Sequence, residues 1–228
     1  MQKAEKLEWD SEFFDFPIYR LILKQIVSSK ELDEKLSENA FYYIFSDLKL
    51  PFLTSKLVDQ KVVFSKTVDC HKSIDGINFY SGPLTTDLLS LVFESGIYSR
   101  FKKDKRLSSK FEEMYSMWIQ KSINGDLADK VFVYKETDKI KGFVTVKKRS
   151  DFAEIGLIAV DQSMRGKGIG SKLIASAEHY LTKEGISTIK VPTQLDNKPA
   201  CDFYTKVGFK KDSLTYIYHI DRYDKNSI

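Results

Sequence analysis

Val160-Asp161-Gln162-Ser163-Met164-Arg165-Gly166-Lys167-Gly168-Ile169-Gly170 joins two stretches of different pattern. Before it, the run 153–160 is short, mostly apolar and bounded by polar turn residues, as a buried strand should be. After it, Ile169, Leu173, Ile174, Ala177, Tyr180 and Leu181 recur at helical spacing. The predicted order is strand, glycine-rich turn, helix. Gly166, Gly168 and Gly170 leave backbone N–H groups unshielded where the helix starts, and the helix dipole there favours a bound phosphate. Arg165 and Lys167 add two cations. The stretch reads as an anion cradle. A dinucleotide fingerprint would need its third glycine at the position of Ser171, and a nucleoside-triphosphate loop would need a longer glycine spacing before Lys-Ser or Lys-Thr. On this stretch alone, a tight turn without a ligand stays the alternative.

The 228 residues, 42% of them hydrophobic, suffice for a substantial core in one large domain or two small ones. Lysines and arginines total 36 against 32 acidic residues, so the net charge of +4 falls short of the basic excess of a general nucleic-acid binder. It suits small phosphorylated ligands. The opening residues Met1 to Lys6 precede no apolar core of signal-peptide length, and no apolar run approaches a membrane span. A cytoplasmic protein with neither a nucleic-acid nor a membrane partner is expected, and a homodimer is left open. Cys70 and Cys201 lie far apart and are expected to be buried free thiols. His71, His179 and His219 show no metal-ligand spacing, and no Ser/His/Asp nucleophile system is evident, so neither a metal nor an acyl-enzyme is expected.

Along the first hundred residues strands and helices alternate. Leu7 to Phe14 reads as a core-anchored arm, 18–23 as a strand, 29–39 as a polar helix, and 41–45 as a buried strand. Pro51 opens a short helix, 61–68 is a strand, and 76–83 a loop. Thr85 or Thr86 caps a helix carrying Leu88, Leu89, Val92 and Phe93. The five cations of 100–106 read first as a solvated turn, with a phosphate patch as the alternative. Phe111, Met114, Tyr115, Trp118 and Ile119 form an apolar helical stripe ending near Asn124-Gly125. Strands at 131–135, 141–147, 187–191 and 216–220 complete the pattern, with a short helix between Asn197 and Gly208.

Val160 through Leu173, followed by Asn197, Tyr204 and Gly208-Phe209, resembles the GCN5-related N-acetyltransferases (GNAT) over roughly the second half of the chain. The resemblance implies an α/β (α+β) fold, a mixed central sheet flanked by helices, with an alternating strand/helix N-terminal lobe packed against it. The expected division is a substrate-side lobe over 1–106 and an acetyl-CoA-binding catalytic domain over 107–228. Two first-half stretches, Leu7-Glu8-Trp9-Asp10-Ser11-Glu12-Phe13-Phe14 and Tyr98-Ser99-Arg100-Phe101-Lys102-Lys103-Asp104, are similar to those of bacterial TDP-fucosamine acetyltransferases. Asp15 stands where that family usually has glycine.

By this resemblance the chain would be an enzyme that moves acetyl from acetyl-CoA, its co-substrate, to the amine of a nucleotide-linked amino-deoxysugar by direct attack in a ternary complex. Such an activity serves surface-polysaccharide precursor synthesis. Another amine acceptor, or a non-catalytic acyl-CoA-binding module, remains open. Tyr204 is expected to protonate the leaving sulfur. The Ile158 amide would hold the thioester carbonyl while Ala159 and Val160 pair the pantetheine. Arg165, Gly166, Lys167, Gly168, Ile169, Gly170 and Ser171 would take the pyrophosphate, with Asn197 contacting the cofactor or capping its helix. Glu154 is the candidate general base, and Ser99, Arg100, Asp104, Tyr115 and Trp118 are candidates for the sugar site.

Overall fold

A computed structural model of the protein describes residues 3–36, 39–69 and 73–223. Cys70 and His71 lie outside them. The elements in order are β1 (Glu5–Lys6), α1 (Glu8–Phe14), β2 (Ile18–Leu23), α2 (Ser29–Lys35), β3 (Phe41–Ser46), a 3-10 helix (Pro51–Lys56), β4 (Leu57–Thr67) and β5 (Ile77–Phe79). Then come α3 (Thr86–Ser95), α4 (Arg100–Lys103), α5 (Phe111–Ile123), β6 (Lys130–Glu136), β7 (Lys139–Lys148), β8 (Ala153–Val160), α6 (Ile169–Lys183), β9 (Thr188–Gln194), α7 (Lys198–Lys206) and β10 (Lys210–Asp221).

All ten strands join one sheet in the order β1-β2-β3-β10-β4-β9-β8-β7-β6-β5. It is mixed: β2 and β3 are parallel, as are β8 and β9, and the other neighbours are antiparallel. β10, from the second half of the chain, lies between β3 and β4 of the first half.

Period-two alternation sends residues of each strand to opposite faces. One face packs Phe41, Tyr43, Val131, Val133 and Phe143 against α1, α3, α4 and α5. On the other, Val62, Phe64, Val144, Ile155 and Val191 pack against α6 and α7, while Tyr42, Ile44 and Tyr218 pack against α2 and the 3-10 turn. Helices therefore cover both faces. Among the described residues, no helix is long and apolar enough to cross a membrane.

Several sequence expectations change. The arm 7–14 is the helix α1: the Ser11 hydroxyl donates to the Leu7 carbonyl (2.7 Å) and accepts the Ile18 amide (3.0 Å), folding the chain back onto itself. Asp15 ends that helix in the left-handed conformation (φ 63°), which aspartate tolerates better than most residues and which accounts for a glycine-type position there. α2 stops at Lys35, short of the expected Asn39, because Leu36 leaves helical geometry to bury itself. The expected loop 76–83 contains β5, an edge strand formed by pairing with β6 rather than by its own pattern. The strand expected at 61–68 starts earlier, at Leu57.

Candidate functional site

The turn after β8 is built locally. Asp161 accepts the Ser163 amide (2.9 Å) and takes an ion pair from Lys141 (2.9 Å), fixing a 3-10 turn over Gln162–Met164. Its carboxyl is pushed down to about 2, chiefly by the Ser163 hydroxyl and then by Lys141. Gly166 and Gly168 adopt φ of 77° and 79°, conformations that L side chains rarely take. A Cβ on either would meet nothing within 4 Å, so their surroundings are open and it is backbone conformation that requires glycine. Gly168 is also the N-cap of α6, where it supplies no capping side chain. The amides of Ile169, Gly170 and Ser171, in the first turn, thus have no side-chain cap and face an open position suited to an anion. Arg165 flanks it, its Nε donating to the Val160 carbonyl (3.1 Å) and its guanidinium pairing with Glu94 of α3. Lys167 is exposed.

β8 and β9 touch only at one end. They pair at Ala153–Ile189 and Glu154–Lys190, and then part. The divergence follows a bulge in β8: the register against β7 slips between Val144–Ile158 and Val146–Ile155, so Gly156 and Leu157 together oppose Thr145. The buried Thr145 hydroxyl accepts the Leu157 amide (2.9 Å). Beyond the bulge the Asp161 amide donates to Lys141 of β7 (2.9 Å). Alternation then turns the amides of Ile158 and Val160 away from β7, toward the gap, and that of Ala159 toward β7. Such a gap, with unpaired amides on one side, can accept an extended chain as an added strand.

Tyr204 sits on α7, 4% exposed, ringed by Phe64, Phe203 and Phe209 at centroid distances of 5.7, 5.4 and 5.8 Å. Among the described residues its hydroxyl has no hydrogen bond. Burial first, and then the neighbouring Cys201, push its pKa well above the usual phenol value, so it stays protonated at neutral pH. Asn197 caps the helix, its side chain accepting the Ala200 amide (3.3 Å). Cys201 is a buried free thiol.

The opposite face of the sheet carries a second polar site, centred on Arg100. The expectation of a solvated turn there is overturned: α4 lays the Arg100 guanidinium over the rings of Phe101 (4.2 Å), Tyr43 (4.8 Å) and Phe45 (5.6 Å). It makes no ion pair with a described residue, and its Nε is buried without a partner. Around it gather Asp10 of α1, Tyr43 of β3, Asp59 of β4 and Tyr115 of α5, each close enough to act on its charge. Trp118 packs on Tyr115 (4.9 Å) and Ser99 is buried at the start of α4. Asp104 holds His219 Nδ1 at 2.7 Å, while His219 Nε2 is buried and unpartnered. Burial drives His219 down to about 4 despite Asp104, so the ring is neutral at pH 7 and Asp104 stays ionised.

Four of the five expected sugar-site residues, Ser99, Arg100, Asp104 and Tyr115, are thus within this cluster, and Trp118 lies against it. Glu154 lies apart, half-buried at the paired end of β8 beside Arg149 (3.4 Å). Sequence reading missed Asp10, Tyr43, Asp59 and His219. The one visible signal was a histidine inside the apolar run Ile217-Tyr218-His219-Ile220. Among the described residues no group of three or more His, Cys, Asp or Glu is placed to hold a metal.

A family model described as the acetyltransferase (GNAT) family matches residues 95–209. An uncharacterized N-acetyltransferase of Methanocaldococcus jannaschii is 33% identical over 136 residues, covering 56% of this chain and 57% of the relative. The spore coat polysaccharide biosynthesis protein SpsD of Bacillus subtilis is 28% identical over 137 residues (60% and 47%), and a dTDP-fucosamine acetyltransferase of Escherichia coli is 26% identical over 136 residues (59% and 57%). The matches span about half the length of these curated relatives. Among solved structures, a functionally unknown conserved protein of Staphylococcus epidermidis superposes with a TM-score of 0.59 at 12% identity, over 97% of this chain and 92% of its own. A Thermoplasma acidophilum N-acetyltransferase in complex with coenzyme A gives 0.50 at 21% identity, over 63% and 97%. At these identities the superpositions speak to fold alone.

Proposed function

The chain belongs to the acetyltransferase (GNAT) family, and from that premise we propose that it transfers acetyl from acetyl-CoA to the amine of a nucleotide-linked amino-deoxysugar. The observation that carries the reading is the placement of two unlike polar sites on opposite faces of one sheet, at a place where two of its strands separate. The cradle suits the pyrophosphate of acetyl-CoA: N–H donors of 166–171 are open and Arg165 and Lys167 supply charge. The pantetheine arm runs along the parted edge of β8, with the Ile158 and Val160 amides as donors. The Ile158 amide then holds the thioester oxygen as negative charge develops on it.

The acceptor amine attacks the thioester carbon directly. Tyr204, a neutral phenol in an apolar setting, protonates the departing thiolate, a step worth about 10² to 10⁴-fold in rate. The Arg100 pocket takes the sugar. Its unpartnered guanidinium offers several N–H donors in fixed geometry to hydroxyl or phosphate oxygens, and Tyr115 and Trp118 offer an apolar wall to a deoxysugar. Support for a nucleotide sugar, rather than another amine, comes from the names of two relatives, a dTDP-fucosamine acetyltransferase and a polysaccharide biosynthesis protein.

The test is CoA-thiol release from acetyl-CoA with TDP- and UDP-linked 4-amino and 3-amino deoxysugars, a free amino sugar, lysine and spermidine. Turnover confined to one nucleotide sugar is expected. Turnover of lysine or spermidine with none of the nucleotide sugars refutes the acceptor and leaves the acetyl transfer standing.

A further inference from the structure

Asp59 is 5% exposed, and its Oδ1 has no hydrogen-bond partner. A buried carboxylate oxygen left unsatisfied is costly, so it calls for an explanation. Its position comes from the pairing of β4 with β10. Asp59 opposes Ile217 in the same register as Gln60–Tyr216 and Lys61–Thr215, and the register slips only beyond it, where Val58 is an extra residue before Leu57–Tyr218. Asp59 thus joins Ile217 and His219, and through the β3 pairing Phe45 and Tyr43, on the face beneath Arg100. The Tyr43 hydroxyl, Arg100 Nε and His219 Nε2 are likewise buried and unpartnered. Four orphaned polar atoms from four elements thus gather in one cluster around Arg100. A cluster with that many unmet hydrogen bonds suits a polar guest.

The charges indicate which guest. Arg100 and Lys103 of α4 act on Asp59 as cations, with Asp196 opposing, and Tyr115 of α5 lies in the same field. Lys103 is already paired with Asp196 (3.0 Å), and Arg100 is not in ion-pair contact with Asp59. Asp10 adds a second carboxylate, while Asp104 is committed to His219. One unpaired cation therefore faces two available carboxylates. The imbalance favours an incoming ammonium.

Asp59 also lies at the open end of the divergence. β4 pairs with β9 up to Lys61–Gln194, and the Leu195 amide still reaches the Gln60 carbonyl (2.8 Å), so Asp59 flanks the end of β9. β8 and β9 are parallel and have parted well before their ends at Val160 and Gln194.

We propose that Asp59 is the base that takes the proton from the acceptor amine, working from the sheet face opposite Tyr204. The proposal rests on the acetyl-transfer reading above. The neutral amine forms the C–N bond and the carbonyl oxygen becomes the oxyanion. As the C–S bond breaks, one proton passes from nitrogen to the Asp59 carboxylate and the thiolate takes the Tyr204 hydroxyl proton. Water then carries a proton from Asp59 and returns one to Tyr204. An acceptor that enters as ammonium releases one net proton to solvent. Burial raises the Asp59 carboxyl to about 6, against the pull of Arg100 and Lys103, which places it nearer the working pH than an ordinary carboxylate. Glu154, at the paired end of β8, is the rival base.

The experiment compares wild type, Asp59→Asn, Asp59→Glu and Glu154→Gln, using whichever amine acceptor the panel identifies, with acetyl-CoA affinity measured separately by calorimetry. Asp59→Asn is expected to lower kcat by about 10² to 10⁴-fold and to abolish the acid limb of the kcat profile near pH 6, with unchanged acetyl-CoA affinity. Asp59→Glu should restore part of the rate and the limb, and Glu154→Gln should keep the limb near pH 6. Wild-type kcat that stays flat through pH 6, or an Asp59→Asn enzyme that keeps its rate, overturns Asp59 as base. Loss of the limb in Glu154→Gln instead transfers the role. A panel in which no amine reacts refutes the acetyl-transfer reading itself, a different failure from either.

Discussion

The cradle after β8 and the pocket under Arg100 are both polar and both centred on arginines, but they are assembled in opposite ways. Every group of the cradle comes from residues 158–171, and its donors are mainly backbone amides beside exposed cations. The pocket draws Asp10, Tyr43, Asp59, Arg100, Tyr115 and His219 from six different elements, and its working groups are buried or half-buried side chains. A site made of main chain tolerates substitution wherever the conformation survives. One made of distant side chains has no such tolerance, because each member is held by a different part of the fold.

That contrast can be broken by substitution. The largest effect is expected at the junction: Tyr204→Phe should lower kcat by about 10² to 10⁴-fold with little change in either KM, as measured by steady-state thiol release. In the pocket, Arg100→Met removes hydrogen bonds from a charged group, typically worth about 1.5–3 kcal/mol each, and should raise the acceptor KM by at least about tenfold while leaving acetyl-CoA affinity intact. A change in acetyl-CoA affinity of similar size would mean that the two sites are not separable.

Stability gives a third handle. The Asp59 carboxyl is raised to about 6 from an unfolded value of 3.8, so the folded state binds the extra proton between those values and its ionised form is the strained one. Asp59→Asn should therefore be more stable than wild type by on the order of 3 kcal/mol above pH 6, with the gain shrinking as pH falls from 6 toward 4. Thermal melts across that range read it directly. His219 pulls the other way: its folded pKa of about 4 lies below the unfolded 6.5, so wild-type stability is lost through this group as pH falls through the same window. The smallest effect belongs to the cradle. Gly168→Ala forces an alanine to φ 79°, costing about 1 kcal/mol, and should weaken acetyl-CoA about fivefold while sparing the acceptor KM.

The same contrast explains what could be read from sequence. Glycines 166 and 168, the helical spacing from Ile169 to Leu181, and the cap at Asn197 are local signals, and the structure has the elements where those signals put them. Arg100 carried no such signal. Its neighbours Lys102, Lys103 and Arg106 made it look like part of a charged turn, and the rings of Tyr43 and Phe45, more than fifty residues away, join that of Phe101 in covering its guanidinium. Asp59 was hidden differently: it opens the polar run Asp59-Gln60-Lys61, which carries no apolar alternation by which the strand would have been traced back past Lys61. α1 was obscured because its seven residues carry too short a pattern, and its ends are set by Ser11 and Asp15 contacts rather than by a run of apolar positions.

The insertion of β10 between β3 and β4 bears on how the molecule comes into being. During synthesis β3 and β4 emerge before β10, and the edge that each will pair with it stays open until translation has passed residue 221. Exposed edges of that kind template unwanted pairing between chains. The nascent chain is thus vulnerable to aggregation until β10 is made, and His219 reaches the acceptor pocket only as the sheet is sealed. A ribosome stalled shortly before that point would carry a chain whose cradle is fully translated and whose acceptor pocket is still missing a wall.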